Sequence, residues 1–298
     1  MKTLGIDIGG TYLRIGMIDK ELKLSCFEQV SQTSVLGGDA PRRLAEFISG
    51  YLERSDKEKT AAAVCVGFPA AVNRERSIVL NAPCVPGFDG IDIKKILSDA
   101  LGLPVFIEKD VNLLIQYDLY VHSLPEKDNI IACYVGTGIG NAIMINGQLL
   151  TGFNGVSGEL GHIPVLDSAE ICDCGNIGCA EMYTGGKFLA ALKDREYTNT
   201  PINKLFAEHG SSEALKNYLS HLAAVIAAEI NIIDPAVVIL GGGVLSMEQF
   251  PKEELEAKIR QYTRKPQPEA SLKFVFSENK GENGVIGAGI YAHKEMKP

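Results

Sequence analysis

The residues best suited to chemistry lie in one stretch, Glu159-Leu160-Gly161-His162 followed by Cys172-Asp173-Cys174-Gly175-Asn176-Ile177-Gly178-Cys179-Ala180-Glu181. Three of the seven cysteines fall between Cys172 and Cys179, the first of them ten residues after the histidine. Soft thiolates with one imidazole make a tetrahedral Cys3His set, the donor chemistry that suits zinc. Gly175 and Gly178 would let the backbone turn sharply enough to bring Cys174 and Cys179 onto one ion. The competing reading is a set of buried, reduced thiols in a glycine-rich loop. Glu159 and Glu181, at the two ends, have no use in a purely structural knuckle, so the metal would hold a polar binding surface in shape.

A second kind of chemistry is phosphate binding. Leu4-Gly5-Ile6-Asp7 reads as a strand that runs into Ile8-Gly9-Gly10-Thr11, with Tyr12 to Asp19 returning as a second strand. A tight glycine turn between apolar strands exposes backbone N–H groups that can cradle a phosphate. Asp7, leaving the strand end beside them, is placed to hold Mg2+ through water. Taken alone, these residues read better as an ordinary glycine-rich hairpin turn; the context changes that. The pattern then recurs 127 residues later: Ile130–Val135 is a strand, Gly136-Thr137-Gly138-Ile139-Gly140 a glycine turn, and Asn141–Ile145 the return strand before an Asn146-Gly147 turn. Gly9 matches Gly136, Met17 matches Met144 and Ile18 matches Ile145, which implies two related lobes sharing one ligand. Two facing phosphate hairpins are an ATP arrangement, and not of the Walker type, since no GxxxxGK[ST] occurs. A third glycine signal, Gly241-Gly242-Gly243, ends the apolar run Ala236–Leu240, where missing side chains would let adenine or ribose approach.

The third element is an acid. Asp110 follows the strand Val105-Phe106-Ile107 and opens a helix reaching Tyr120, and ligands in α/β sheets bind beyond strand ends. It can serve as a general base accepting a hydroxyl proton, or simply cap the helix.

The elements that must position these groups alternate strand and helix, which makes the fold class α/β. Pro41–Arg54 is an amphipathic helix, Ala61–Phe68 a buried strand, and Ile93 to Leu101 a helix after the turn-rich segment Asn81 to Gly90. Later come a helix over Glu213–Ile233, a strand over Leu272–Phe276, and a closing helix Gly284–Lys294 whose small face (Gly287, Ala288, Ala292) can pack closely on a neighbour. At 298 residues the chain is long for one core, so two lobes are expected. A net charge of −8 with no long Lys/Arg run argues against a nucleic-acid surface. The apolar stretch Ala223–Val244 contains Glu229, Asn231 and Asp234, so no bilayer span is expected. The odd, scattered cysteines and an acid at position 7 predict a reducing, cytoplasmic setting without a signal peptide.

Together these motifs resemble the ROK family of sugar kinases, repressors and open reading frames, within the two-lobed actin-like ATPase (ribonuclease H-like) fold. The resemblance covers nearly the whole chain in the expected order: Asp7-x-Gly-Gly-Thr11, Asp110-x-Asn112, Gly136-Thr-Gly-x-Gly140, Glu159-x-Gly-His162, Cys172-x-Cys-Gly-x-x-Gly-Cys179-x-Glu181 and Leu240-Gly-Gly-Gly243. It implies Asp110 as the base, Glu159, His162 and Glu181 as holders of sugar hydroxyls, and His162 with Cys172, Cys174 and Cys179 on a structural zinc. It implies ATP and Mg2+ at Asp7, Gly9, Gly10, Thr11, Gly136, Thr137, Gly138, Gly241, Gly242 and Gly243. The expected lobes are 1–115 with about 283–298, and 116–282 carrying the zinc loop; a homodimer is expected. Two departures stand out. Lys109-Asp110 occupies the place of a usual Asn-Asp, and Gly67-Phe68-Pro69-Ala70 that of Gly-x-Pro-Gly. Both resemble the D-allose kinase branch, which implies phosphorylation of D-allose at C6, with Lys109 as a long donor to the sugar; glucose, fructose, mannose and N-acetylmannosamine are the alternatives. Lys109 could instead point to solvent or pair with Glu108. The family's repressors carry a helix-turn-helix domain before the first strand, and a strand beginning at Leu4 leaves no room for one.

Overall fold

A computed structural model describes residues 1–125, 127–165 and 168–296; positions 126, 166, 167, 297 and 298, which fall inside the expected lobes, lie outside the described residues. The chain divides into two compact units. The first comprises Met1–Leu124, Thr151–Ser157 and the chain from Lys280 onward; the second comprises Pro125–Leu150 and Gly158–Asn279.

In the first unit, β1 (Lys2–Ile8), β2 (Tyr12–Ile18), β3 (Leu24–Ser31), β4 (Ala61–Phe68) and β8 (Val105–Lys109) form one sheet in the order β3-β2-β1-β4-β8. A small separate sheet holds β5 (Ala71–Val72), β6 (Ile78–Asn81) and β7 (Ile91–Asp92). The first three strands of the main sheet run as antiparallel hairpins, and β1, β4 and β8 are parallel. Helices cover both faces, as parallel strands require. Along β4, Val64, Val66 and Phe68 pack with Leu44, Ile48, Ile93 and Leu97 of helices Ala40–Ser55 and Ile93–Leu101, while Cys65 packs with Leu113, Ala288 and Ala292 of helices Asp110–Val121 and Asn283–Glu295. The first pair of helices starts where aspartates cap them: Asp39 accepts the Arg42 amide at 3.4 Å and Asp92 the Lys95 amide at 3.0 Å.

The second unit repeats the plan. Its sheet contains β9 (Ile130–Val135), β10 (Ile139–Ile145), β11 (Gln148–Leu149), β12 (Val237–Gly241) and β13 (Lys273–Phe276) in the order β11-β10-β9-β12-β13. Two antiparallel neighbours on one side and two parallel ones on the other reproduce the first sheet strand for strand. The duplication suggested by the recurring glycine turns is therefore a duplication of topology. Helix Glu213–Ile233 lays Leu215, Leu219, Leu222, Ile226 and Ile230 against Ile131, Cys133 and Val135 of β9. Asn146 and Gly147 turn β10 into β11 with φ of 50° and 80°, the positive pair of a type I′ hairpin.

Candidate active site

Asp110 is the first residue of helix Asp110–Val121, and Lys109 holds the capping position without a side-chain hydrogen bond. The Asp110 carboxylate accepts the neighbouring Val111 amide at 2.8 Å, so it does not act as the helix cap. Burial, and then the negative charge of Asp7, push its pKa up to about 7, against the pull of the Val111 amide and the Lys109 cation. Asp7 is the penultimate residue of β1 and is likewise raised by burial; Arg14, its register partner on β2, opposes that shift with Nη1 3.2 Å from Asp7 Oδ2. Two mutually repelling carboxylates in one unit form a site that a divalent cation would relieve.

Lys109 is buried and does not face solvent: its Nζ donates to the Ser157 carbonyl at 3.0 Å. Its relation to Glu108 runs through the backbone, since Glu108 Oε1 accepts the Lys109 amide at 2.8 Å and the Asn112 side-chain amide at 2.9 Å. Both N–H groups belong to the turn that presents Asp110.

In the second unit the residues expected to hold zinc converge. One donor atom from each of His162, Cys172, Cys174 and Cys179 lies within 4.8 Å of the others. Cys174 Sγ and Cys179 Sγ are 3.6 Å apart, and His162 Nδ1 is 3.7 Å from Cys172 Sγ. Tetrahedral thiolates at about 2.3 Å from zinc would stand roughly 3.8 Å apart, so the set fits the ion. Gly175 and Gly178 make the required turns with φ of 91° and 76°. Burial pushes the Cys172 thiol up to about 12, and the Asn176 amide pulls Cys174 down. The opposite side of the imidazole, Nε2, lies 3.7 Å from Glu159 Oε2, while Glu181 Oε1 lies 3.7 Å from Nδ1 and 3.3 Å from Cys172 Sγ. His162 thus connects the thiol cluster to both acids.

The glycines divide by use. Gly9 closes the first turn by donating to the Tyr12 carbonyl at 2.8 Å, and Gly10 and Thr11 are exposed. In the second turn a side chain at Gly138 would collide with Glu181 Oε2, so that glycine makes room for the Glu181 carboxylate, whereas the position at Gly136 is open. The carbonyls of Gly136 and Thr137 accept the amides of Gly186 and Lys187, which docks the turn on helix Gly186–Glu196. Gly241 packs against Tyr134 and Ser277, and Gly242 (φ 96°) against the backbone of Val135; at Gly243 a side chain would meet only Asn279 Nδ2, at 3.9 Å.

Residues 3–295 match the ROK family. The chain belongs to the ROK family. A glucokinase from Thermotoga maritima is 29% identical across 97% of this chain and 96% of its own. An N-acetylmannosamine kinase from Salmonella arizonae is 25% identical across 98% of both. The crystal structure of a ROK hexokinase from Thermus thermophilus superposes with a TM-score of 0.82 at 27% identity, covering 100% of this chain and 99% of that one. The ROK chain therefore has the actin-like ATPase fold, with its α/β sheet duplicated.

The structure brings Asp7, Lys109 and Asp110 together in one unit of the ROK chain, and His162, the three cysteines, Glu159, Glu181 and Gly138 in the other. Sequence reasoning missed Arg14 and Arg76, and read Glu108 only as a possible partner of Lys109. The first was legible: a hairpin turning at Gly10-Thr11 sets Arg14 opposite Asp7. The other two meet only through the tertiary fold, Arg76 Nε lying 3.1 Å from Glu108 Oε2.

Proposed function

We propose that this chain is an ATP-dependent hexose kinase that phosphorylates the C6 hydroxyl, with D-allose as its preferred substrate. The observation that carries the reading is Asp110: a half-buried carboxylate at a strand-to-helix turn, with a proton affinity poised near neutrality by desolvation and by Asp7. A base must be ionised at the working pH yet still attract a proton, and a pKa near 7 meets both needs. Asp110 would accept the proton of the sugar hydroxyl as the hydroxyl oxygen attacks the γ-phosphorus in line, the bond to the β,γ-bridging oxygen breaks and ADP leaves. Glu159, His162 and Glu181 hold the remaining hydroxyls, as acceptors and as a donor fixed by its place in the thiol cluster. Zinc on His162, Cys172, Cys174 and Cys179 would keep that wall in shape. Asp7 would hold Mg2+ through water, and the ion, when bound, neutralises charge developing on the phosphates. The turns Gly9–Thr11 and Gly136–Gly138 would cradle the phosphates through the amides of Gly10, Thr11 and Thr137, those of Gly9 and Gly136 being engaged on the Tyr12 and Gly138 carbonyls, and the Gly241–Gly243 run would serve the nucleoside.

The preference for allose is supported by Lys109 and the Phe68-Pro69-Ala70 turn. An ammonium donor whose stem is fixed beside the base can favour a sugar whose hydroxyl points toward it and leave an epimer without that contact, and discrimination by a buried donor is steep. Relatives named as glucokinase and N-acetylmannosamine kinase define the competing substrates. The test is kcat/KM for D-allose, glucose, fructose, mannose and N-acetylmannosamine with purified protein. Allose is expected to lead. A tenfold advantage for glucose would overturn the assignment of Lys109 while leaving hexose kinase activity intact.

A further inference from the structure

Arg76 lies in the turn between β5 and β6 with a left-handed backbone, φ 52°, a conformation that costs a bulky residue about 1 kcal/mol and suits glycine or asparagine better. The turn has its own anchor, because Asn73 Oδ1 accepts the Ser77 and Ile78 amides at 2.8 and 2.9 Å. The Arg76 side chain also reaches back to this turn, its Nη1 lying 3.2 and 3.5 Å from the Val72 and Asn73 carbonyls, but its shortest bond goes elsewhere.

The guanidinium runs inward and is only 11% exposed. Its Nη1 donates to the Gly155 carbonyl at 2.8 Å and to the Val72 carbonyl at 3.2 Å. Its Nε lies 3.1 Å from Glu108 Oε2 in ion-pair contact, off the line of a hydrogen bond, and Nη2 is buried with no partner among the described residues. Glu108 in turn holds the Lys109 amide and the Asn112 side chain on either side of Asp110. One cation therefore joins two things: the turn carrying Asp110, and the segment Thr151–Ser157, which belongs to the first unit although its sequence neighbours on both sides belong to the second. The segment is seated closely. Gly155 has φ 85°, and a side chain there would lie 2.5 Å from the Arg74 amide nitrogen and the Val72 carbonyl. Its far end is tied by Lys109 on the Ser157 carbonyl, two residues before Glu159.

We propose that Arg76 is a positioning residue for hexose binding. It sets Thr151–Ser157 against the Asp110 turn, and so fixes the point from which the chain enters the Glu159–His162 segment. This rests on the hexose kinase reading.

The experiment compares wild type with Arg76→Met and Arg76→Lys, measuring KM for hexose and for ATP, and amide hydrogen exchange over 152–157. Arg76→Met should raise the hexose KM by about tenfold or more, the scale of one buried charge-assisted hydrogen bond, with the ATP KM within about twofold. Exchange over 152–157 should quicken by a similar factor while exchange in helix Asn283–Glu295 stays as in wild type. Arg76→Lys retains a counterion for Glu108 but not the fork that also reaches Gly155; it should keep the melting temperature near wild type and still show the raised hexose KM, which carries the test if the methionine variant folds poorly. A hexose KM within twofold of wild type in Arg76→Lys, or an equal rise in the ATP KM, overturns the proposal. A wild type that phosphorylates no hexose tells against the kinase reading, whereas unchanged exchange over 152–157 in Arg76→Met tells against the clamp itself.

Discussion

At the scale of single residues, Asp110 concentrates the chemistry. Its carboxyl is raised from an ordinary value of 3.8 to about 7, first by burial and then by Asp7, so the free protein holds it half protonated near neutrality. As a base it must be ionised, and kcat/KM should therefore fall about tenfold per pH unit below 7 and level off above it. Asp110→Asn should lower turnover by about two to four orders of magnitude, the usual range for a lost base, with the KM for sugar little changed. The stability sign runs opposite to that of an ion-paired acid. The folded state binds the proton more tightly than the unfolded chain between pH 4 and 7, so this group's contribution declines as pH rises through that window. Turnover of Asp110→Asn within tenfold of wild type at pH 8 would remove Asp110 from the role of base.

At the scale of elements, the glycine turns and the cysteine loop were legible because each is local: a glycine pair between two apolar runs, or thiols at ligand spacing, needs no knowledge of the rest of the chain. The strands Ala61–Phe68 and Ile130–Val135 and the helix Glu213–Ile233 were legible for the same reason, their apolar patterns being continuous or at helical spacing. β3 was not. Its sequence, Leu24 to Ser31, mixes four apolar and four polar residues without alternation and is half exposed, and it becomes a strand because β2 offers an edge. Nor could spacing reveal that Gly138 yields its side-chain space to Glu181, or that Lys109 is buried against Ser157, since both depend on packing between distant segments. The loop itself supports a prediction. His162 has Nδ1 on the thiol side and Nε2 toward Glu159, and Glu181 touches both the ring and Cys172, so loss of the metal should loosen the two acids together. Removing zinc with a chelator should raise the KM for hexose by about tenfold before the KM for ATP moves, the outer partners of a metal being worth about that much. Equal loss of both, measured by initial rates during chelation, would mean that the ion supports the fold as a whole.

At the scale of the whole molecule, neither unit is a continuous piece of chain, and the first is completed last. Its sheet is strands 1 to 109, yet one face is closed by the helix Asn283–Glu295, which arrives only after the second unit has been traversed. Contacts of such separation close late and cost more loop entropy than local ones. The small face read from the sequence is what allows the seat. A side chain at Gly287 would collide with the Leu113 carbonyl, one at Gly289 would lie 2.7 Å from Ile18, and one at Gly284 would lie 2.6 Å from the Asp7 carboxylate carbon. On the facing strand, Gly5 admits the Val285 carbonyl in the same way. These close approaches make the glycine face a packing device within the first unit. Gly287→Ala should therefore destabilise the protein by about 3 kcal/mol, the upper range for overpacking against backbone, although alanine favours a helix over glycine by roughly 1 kcal/mol. Gly50→Ala is the control: it lies within helix Ala40–Ser55, where the nearest obstacle is the flexible end of Arg54 at 3.5 Å, and it should stabilise by up to about 1 kcal/mol. Urea unfolding of the two variants separates helix propensity from the seat. Equal gains in both would show that the helix rests on the sheet with space to spare, and the close approach at Leu113 would then have no part in holding the Asp110 helix in place.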